Sequence, residues 1–346
     1  MLLSIGVPAY NAEATIRRCL ESIVSCTGFS GYELICVDDG STDSTLDILK
    51  SWEMQYDNIR VIHTNNRGAF LARKRIIDEA RGEWIGFVDS DDVVGTDIYN
   101  KMLSELAKHP EADMAVCAFW KSGRKHMDAF GDAYMDIMDT PELLGRMLAV
   151  NPAYWNKLYR KRLAVKSIRL DYSPKIMEDS LFFCSLIPYT RGVVFVGKAL
   201  YTYNDNKASV TRDIGMDEVL EAERGIEGLL SNDEASNRRE VYEAKALREF
   251  RSAYISLHLG VAFSLNFNRN DDFKGNMEAW RETRHFLDTR LPCWRKNEFL
   301  SVKYAYNNRQ IMTLYIGYML YKAAFWPAVV RAYHYFVRIT GCDMKW

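Results

Sequence analysis

Net charge is the first thing this sequence lacks: 45 Lys and Arg stand against 46 Asp and Glu, leaving −1 at neutral pH. A chain so balanced has no global attraction for nucleic acid, and any basic surface on it must be local. Paired cysteines are also missing. The seven cysteines (Cys19, Cys26, Cys36, Cys117, Cys184, Cys293 and Cys342) are odd in number, scattered and never spaced as CxxC. That pattern argues against a disulfide framework or a thiolate zinc site and for a reducing, cytosolic setting. No basic stretch leads into a long apolar run at the N-terminus, so no secretion signal is expected. The six histidines show no paired metal spacing, no Ser-His-Asp pattern can be argued, and no repeat or low-complexity block interrupts the chain. What is present is 346 residues, 48% hydrophobic and 26% charged, enough for one large domain and an appendage.

Four short apolar runs bounded by turn residues fall in the first hundred positions: Leu2 to Val7, Glu33 to Val37, Ile59 to His63 and Trp84 to Val88. Each reads as a buried strand. Between them Ile16, Leu20, Ile23 and Val24, then Leu46, Leu49 and Trp52, then Leu71, Ile76 and Ala80 recur at helical spacing. Strand alternating with helix predicts an α/β fold, a mostly parallel sheet covered on both faces, because parallel neighbours need a crossover. Met114 to Phe119 and Gly192 to Val196 read as further strands, and Thr140-Pro141-Glu142 as a capped helix start. After Ile214 strand patterning stops, and helical patterns run around Glu218 to Glu227, from Tyr242 to Phe263 and from Gln310 to Ile339. The expected division is residues 1–212, in two parts 1–120 and 121–212, followed by a helical region over 213–346.

Ligands of an open parallel sheet bind outside the carboxyl ends of its strands. Here those ends carry Pro8-Ala9-Tyr10-Asn11, then Asp38-Asp39-Gly40-Ser41-Thr42-Asp43, then Asp89-Ser90-Asp91-Asp92. Carboxylates so gathered repel one another unless a cation or hydrogen-bond donors sit among them. Mg²⁺ or Mn²⁺ would resolve the conflict, since either prefers oxygen, needs one or two protein carboxylates and takes its other ligands from water and phosphates. Alone, Asp-Gly-Ser-Thr-Asp is an ordinary turn into an N-capped helix; three such loops at neighbouring strand ends carry more.

Together these segments, with Asn66-Arg67-Gly68, Ala72-Arg73, Trp155-Asn156-Lys157-Leu158-Tyr159-Arg160 and Glu178-Asp179-Ser180-Leu181-Phe182-Phe183, resemble the signature of family 2 glycosyltransferases. The resemblance covers about residues 1–212 and implies the GT-A fold. It implies a nucleotide-sugar site of Pro8, Ala9, Tyr10, Asn11, Asp39, Asn66, Gly68, Arg73, Asp89, Ser90 and Asp91. In it Asp39 would accept a hydrogen bond from the imide N–H of uracil or thymine, Asp89 would touch the ribose, and Asp91, with Asp89, would hold the metal. Asp92 is left between site and scaffold, and Arg73 between the diphosphate and a solvated helix face. Asp179 matches the family's base, and Trp155, Asn156, Lys157 and Glu178 would border the acceptor, although Trp155 also reads as a core residue. Ser209 and Thr211 fall in a polar loop like one that closes over the diphosphate. One departure is Lys74, where many relatives carry Asn. The implied reaction is inverting transfer from a nucleotide sugar, UDP-linked by preference, to a saccharide or lipid-linked saccharide acceptor of the envelope or capsule.

Rival readings are a metal-dependent nucleotidyltransferase or phosphatase, a NAD-dependent dehydrogenase and a catalytically dead sugar-nucleotide-binding module. The first two lose ground because no Gly-rich phosphate loop follows the first strand. The third loses ground because Asp91 and Asp179 are both present. A processive polysaccharide synthase would need a Gln-x-x-Arg-Trp motif and several membrane spans, which this sequence lacks. From Ser301 onward, six basic residues face the single acid Asp343 amid Tyr, Phe, Trp, Leu and Ile. Ile311 to Val330 is 20 residues long but holds Lys322 and Pro327, and a central lysine costs about 2.5–3.5 kcal/mol on insertion scales. Two alternatives follow for 301–346: helices lying on the inner face of a membrane, or a helical subdomain packed on the catalytic core.

Overall fold

The structure is a computed structural model that describes residues 3–28, 31–121, 124–126, 131–204, 214–234, 241–262, 264, 273–302 and 309–340. The chain forms two compact units: residues 1–139, 150–173 and 185–207 make the first, and residues 140–149, 174–184 and 208–346 the second. Thus Thr140–Ala149 and Pro174–Cys184 group with the helices rather than with the sheet around them in sequence.

The first unit is built on a ten-stranded sheet. Its parallel half is β1 (Leu3–Ala9), β2 (Tyr32–Asp38), β3 (Ile59–His63) and β4 (Trp84–Phe87), in spatial order β3-β2-β1-β4. Strand β1 lies between β2 and β4, and Leu3, Ile5 and Val7 are fully buried. A strand covered on both faces has no use for alternation, which is why it reads as a continuous apolar run. Crossovers are α1 (Ile16–Val24), α2 (Thr45–Glu53) and α3 (Ala69–Glu79). Helix α1 turns Ile16, Cys19, Leu20 and Ile23 inward, the i, i+3, i+4, i+7 stripe of an amphipathic helix.

Beyond β4 the sheet becomes mixed. It continues through β9 (Lys157–Arg160), β6 (Ala112–Lys121), β10 (Gly192–Tyr203) and the two-residue β5 (Val93–Val94), with β7 (Arg124–His126) beside β6 and β8 (Ala133–Asp136) beside β10. Helix α4 (Ile98–Lys108) precedes β6. Strand β9 runs antiparallel to both β4 and β6. The sequence reading missed it because it is four residues long and opens on Lys157, which with Asn156 before it reads as polar loop. Strands β6 and β10 are longer than expected, and β10 absorbs register shifts between Val196 and Tyr201.

In the second unit α5 (Pro141–Arg146) begins as the sequence predicts, with Thr140 Oγ1 accepting the Leu143 N–H at 3.3 Å. Between α5 and the later helices, α6 (Lys161–Ala164) belongs to the sheet unit and α7 runs Glu178–Leu186. Then come α8 (Met216–Glu234), α9 (Val241–Ile255) with a π-helical turn Ser256–Ala262, α10 (Phe273–Arg290), α11 (Arg309–Lys322) and α12 (Trp326–Thr340). Helix α10 escaped the sequence reading because its inward positions include Asn276 and Thr283. Aromatic groups knit this unit: Tyr321 Oη pairs with Thr283 Oγ1 at 2.8 Å, and Tyr318 Oη donates to the Trp294 carbonyl at 2.7 Å. The helical pattern from Gln310 to Ile339 forms a pair of helices, parted at Ala324, whose φ of 64° is left-handed. Lys322 ends α11 and donates to the Arg295 carbonyl at 2.5 Å. No helix among the described residues is long and apolar enough to cross a membrane.

Candidate active site

The loops after β1 and β2 are sewn to each other. Asn11 has a φ of 47°, a left-handed conformation that asparagine tolerates better than most residues. Its N–H donates to Ser41 Oγ at 3.0 Å and its Oδ1 accepts the Thr42 N–H at 2.8 Å. The exchange is reciprocal one step on, where Glu13 N–H donates to Asp43 Oδ2 at 3.1 Å and Ser44 N–H donates to Glu13 Oε2 at 3.0 Å. Asp43 also takes the Thr45 N–H, and these backbone bonds with the Thr45 hydroxyl hold its carboxyl below the usual range despite the cost of burial. Much of the Asp-Gly-Ser-Thr-Asp segment is therefore scaffold. Pro8 and Ala9 are buried, while Tyr10, 48% exposed, stands clear of the stitched loops.

The paired acids at the end of β2 differ from each other. Asp39 Oδ1 accepts the Arg67 N–H at 3.0 Å and the Thr64 hydroxyl at 3.2 Å, and Oδ2 accepts the Gly68 N–H at 2.7 Å. This carboxylate shapes the Thr64–Gly68 turn. Gly68 has a φ of 93°, and a Cβ there would come within 2.5 Å of Ser173, so glycine is required twice over. Gly40 is confined in the same way: φ is 74° and a Cβ would lie 2.6 Å from the Asn66 nitrogen. Asn66 itself is exposed. Fully buried Asp38 receives Ser41 N–H at 3.3 Å and lies 2.7 Å from His63 Nδ1 through the same oxygen, Oδ2. Sequence reasoning passed over His63, which is joined to Asp38 only through the β2–β3 register.

The three carboxylates after β4 separate by environment. Asp92 is fully buried, with Oδ2 accepting the Tyr201 hydroxyl and Oδ1 the Asn204 N–H, both at 2.7 Å. Burial first, then the neighbouring Asp89 carboxylate and more weakly Asp91, push its pKa up to about 8 against those hydrogen bonds. Asp92 is thus the acid that anchors the loop. Tyr201, whose hydroxyl also accepts the Asp89 N–H at 3.1 Å, is 109 residues away in sequence, so no local signal could have found it. Asp89 stays 24% exposed and pairs through Oδ1 with Arg73 Nη2 at 2.7 Å. Arg73, expected on the diphosphate or in solvent, is instead 9% exposed and lies over the Tyr154 ring at 4.6 Å, where it orients Asp89. Ser90 and Asp91 are half-buried, and the Asp91 backbone carbonyl is held by Arg18 and Asn204.

The residues expected beside an acceptor are placed differently. Trp155, 7% exposed, stacks on Tyr201 at 4.5 Å and meets Phe119 edge-on at 4.8 Å. Asn156 is fully buried and donates to the Cys117 carbonyl at 2.7 Å; Lys157, 1% exposed, donates to Asn156 Oδ1 at 2.6 Å and the Ala153 carbonyl at 2.9 Å. The structure buries all three, and the contacts named pin β9 inside the sheet. The core reading of Trp155 is the one this geometry favours. Glu178 and Asp179 are half-buried at the start of α7, in the second unit. Asp179 Oδ1 accepts the Ser180 N–H at 2.7 Å, and Met177 just before has a φ of 66°, costly for a residue with a side chain. Ser209 and Thr211 lie outside the described residues.

Among the described residues no three His, Cys, Asp or Glu side chains converge on one metal position. What fits is a hard cation that needs few protein ligands: Asp89 and Asp91 are half-buried carboxylates two residues apart on one loop.

Against known proteins, residues 4–161 match the model described as glycosyl transferase family 2. This segment is a family 2 glycosyltransferase domain. The chain is 32% identical over 219 residues to the uncharacterized glycosyltransferase EpsJ of Bacillus subtilis, covering 61% of this chain and 63% of that one. It is 28% identical over 225 residues to the glycosyltransferase GlyA of Streptococcus pneumoniae, covering 61% of this chain and 31% of the relative. The chain thus spans less than two thirds of these relatives. Among solved structures, TarS 1–349 of S. aureus, crystallised with UDP-GlcNAc, superimposes with a TM-score of 0.67 at 20% identity over 94% of this chain and 91% of that one. The fold is the GT-A arrangement with a helical C-terminal region.

Proposed function

We propose that this chain is an inverting, metal-dependent glycosyltransferase that moves a sugar from a nucleoside diphosphate, UDP by preference, to a hydroxyl of a saccharide or lipid-linked saccharide in envelope or capsule synthesis. The observation that carries this reading is the division of labour at the strand ends. Asp38, Asp43 and Asp92 serve hydrogen bonds of the fold, while Asp89, set by Arg73, and Asp91 are half-buried on the loop after β4. Tyr10 supplies a ring for the base, and Asp39 Oδ2, with one donor at 2.7 Å, keeps a lone pair for the imide N–H of uracil. The complex of TarS with UDP-GlcNAc supports UDP for a protein of this fold.

Asp91 and Asp89 are the residues suited to hold Mg²⁺ or Mn²⁺, with Asp89 set in place by Arg73. The cation, when bound, neutralises charge on the departing diphosphate. Asp179 is the base. It stands in the first turn of α7, where it accepts the Ser180 N–H at 2.7 Å. The acceptor hydroxyl gives its proton to Asp179 while its oxygen bonds to the anomeric carbon, the bond to the phosphate oxygen breaks, and the nucleoside diphosphate leaves with the electron pair. One displacement inverts the anomeric centre. Glu178 adjoins the acceptor side.

We place the reaction in the cytoplasm, in keeping with the six free cysteines of the described residues, at a membrane surface reached through residues 301–346. Titration calorimetry of UDP with and without Mn²⁺ tests the donor site. Asp91→Ala should abolish the metal-dependent part of the affinity, and an unchanged EDTA-sensitive affinity would refute the assignment.

A further inference from the structure

Helices α11 and α12 cover the interior of their own unit with one face and leave the other apolar. On α12 the inward positions are Trp326, Val330 and Tyr333, at 3%, 3% and 6% exposure. The outward positions on the helix are Arg331, Tyr335, Phe336 and Ile339, and Phe325 stands just before its first residue. They carry large side chains where a solvated helix carries charges: Phe325 is 65% exposed, Tyr335 67%, Phe336 45% and Ile339 66%. Helix α11 adds Ile316 at 54% and Met319 at 43%. Scattered exposed apolar residues are ordinary, but a periodic row over two consecutive helices marks an interaction surface.

The charge pattern selects the occupant. From Arg309 to Thr340 the sequence contains Arg309, Lys322, Arg331 and Arg338 and no Asp or Glu. A two-fold contact between copies would set this segment against itself, cation against cation with no acid to answer. A water-facing role would leave the aromatic row exposed without return. An anionic bilayer suits both features, since apolar groups enter the headgroup boundary, aromatic rings settle at that level and each nearby cation is drawn to the negative surface. We propose that the outward face of α11 and α12, centred on Phe325, Tyr335, Phe336 and Ile339, lies flat on an anionic lipid surface. This deepens the membrane association proposed above and rests on it.

The test is flotation of the full chain with vesicles of phosphatidylcholine alone or with added phosphatidylglycerol, at low and high salt. Wild type should float with the anionic vesicles, and high salt should release most of it. The quadruple variant Phe325→Ser, Tyr335→Ser, Phe336→Ser and Ile339→Ser should lose binding by about tenfold or more. Because these side chains are exposed, its thermal transition and its nucleotide binding without vesicles should match wild type. Wild type that ignores anionic vesicles overturns the membrane reading altogether. Wild type that floats together with a quadruple variant that floats equally well overturns only this face. Concentration-dependent self-association in light scattering that the variant abolishes would assign the face to a second copy and overturn the proposal.

Discussion

Asp39 and Glu223 are almost equally buried, at 4% and 6% exposure, yet their surroundings differ completely. In the sheet unit Asp39 is met by two backbone N–H groups and a hydroxyl. In the helical unit Glu223 has Oε1 without a hydrogen-bond partner, and burial, then Glu282 and Glu227, push its pKa up to about 7. His258, stacked on Tyr254 at 4.3 Å, is pushed by burial the other way, down to about 4. The sheet unit spends its polar residues on backbone donors of specific loops, and such bonds demand particular residues at particular positions. The helical unit fills space with aromatics, whose packing leaves little for a motif to record, although buried polar atoms without a hydrogen bond occur in both units, Asp38 Oδ1 and Glu223 Oε1 among them.

This contrast explains what was legible in the sequence. Strands β1, β2 and β4 showed because burial on both faces imposes apolar runs, edge strand β3 because its inward residues alternate, and helices α1 to α3 because they repeat their inward positions. The loop carboxylates showed because Asp39, Asp43 and Asp92 serve their own or neighbouring loops. Hidden were relations that depend on sheet order, such as Tyr201 with Asp92 and His63 with Asp38, and residues whose chemistry reads as surface but which the fold buries, such as Arg73, Asn156 and Lys157. In the helical unit the 3.6-residue period survived, and Pro327, at the second position of α12, marks the break that follows α11.

The comparison can be broken first at the chemistry. Asp179→Asn should cut transfer by about 10³-fold or more, while UDP affinity, set in the sheet unit, stays within about twofold. Parallel loss of both would mean that the donor site is not confined to the strand ends.

The next test uses the opposed titrations of the helical unit. Between pH 4.5 and 6.5 the unfolded chain holds a proton on residue 258 that the native state lacks, so this group makes stability fall as pH falls. Over the same window the native state holds a proton on Glu223 that the unfolded chain has lost, so that group makes stability rise as pH falls. The two slopes largely cancel. Urea melts should show His258→Phe gaining about 2–3 kcal/mol, relative to wild type, on going from pH 6.5 to 4.5, and Glu223→Gln losing a similar amount. Identical profiles for the three proteins would remove the contrast between the units.

In the sheet unit Asp43→Ala strips the N–H groups of Glu13 and Thr45 of their acceptor and should cost about 1–2 kcal/mol in denaturant unfolding, with UDP affinity falling as the Tyr10 loop loosens. Full stability in this variant would contradict the stitched-loop account. Tyr10→Ala should weaken UDP by about five- to tenfold without shifting the melt, since its ring is half exposed and free to stack on a base. A shifted melt with unchanged affinity would make Tyr10 structural.

The central claim is that these strand-end acids bind a nucleotide sugar through a divalent cation. It is tested most directly by a screen of UDP-, GDP-, dTDP- and CMP-linked sugars with Mg²⁺ or Mn²⁺, read as release of free nucleotide. The account predicts UDP release from one or a few UDP-sugars, lost on adding EDTA, restored by excess cation and absent in Asp91→Ala. Release that EDTA leaves untouched, or turnover confined to a CMP-sugar, would contradict it.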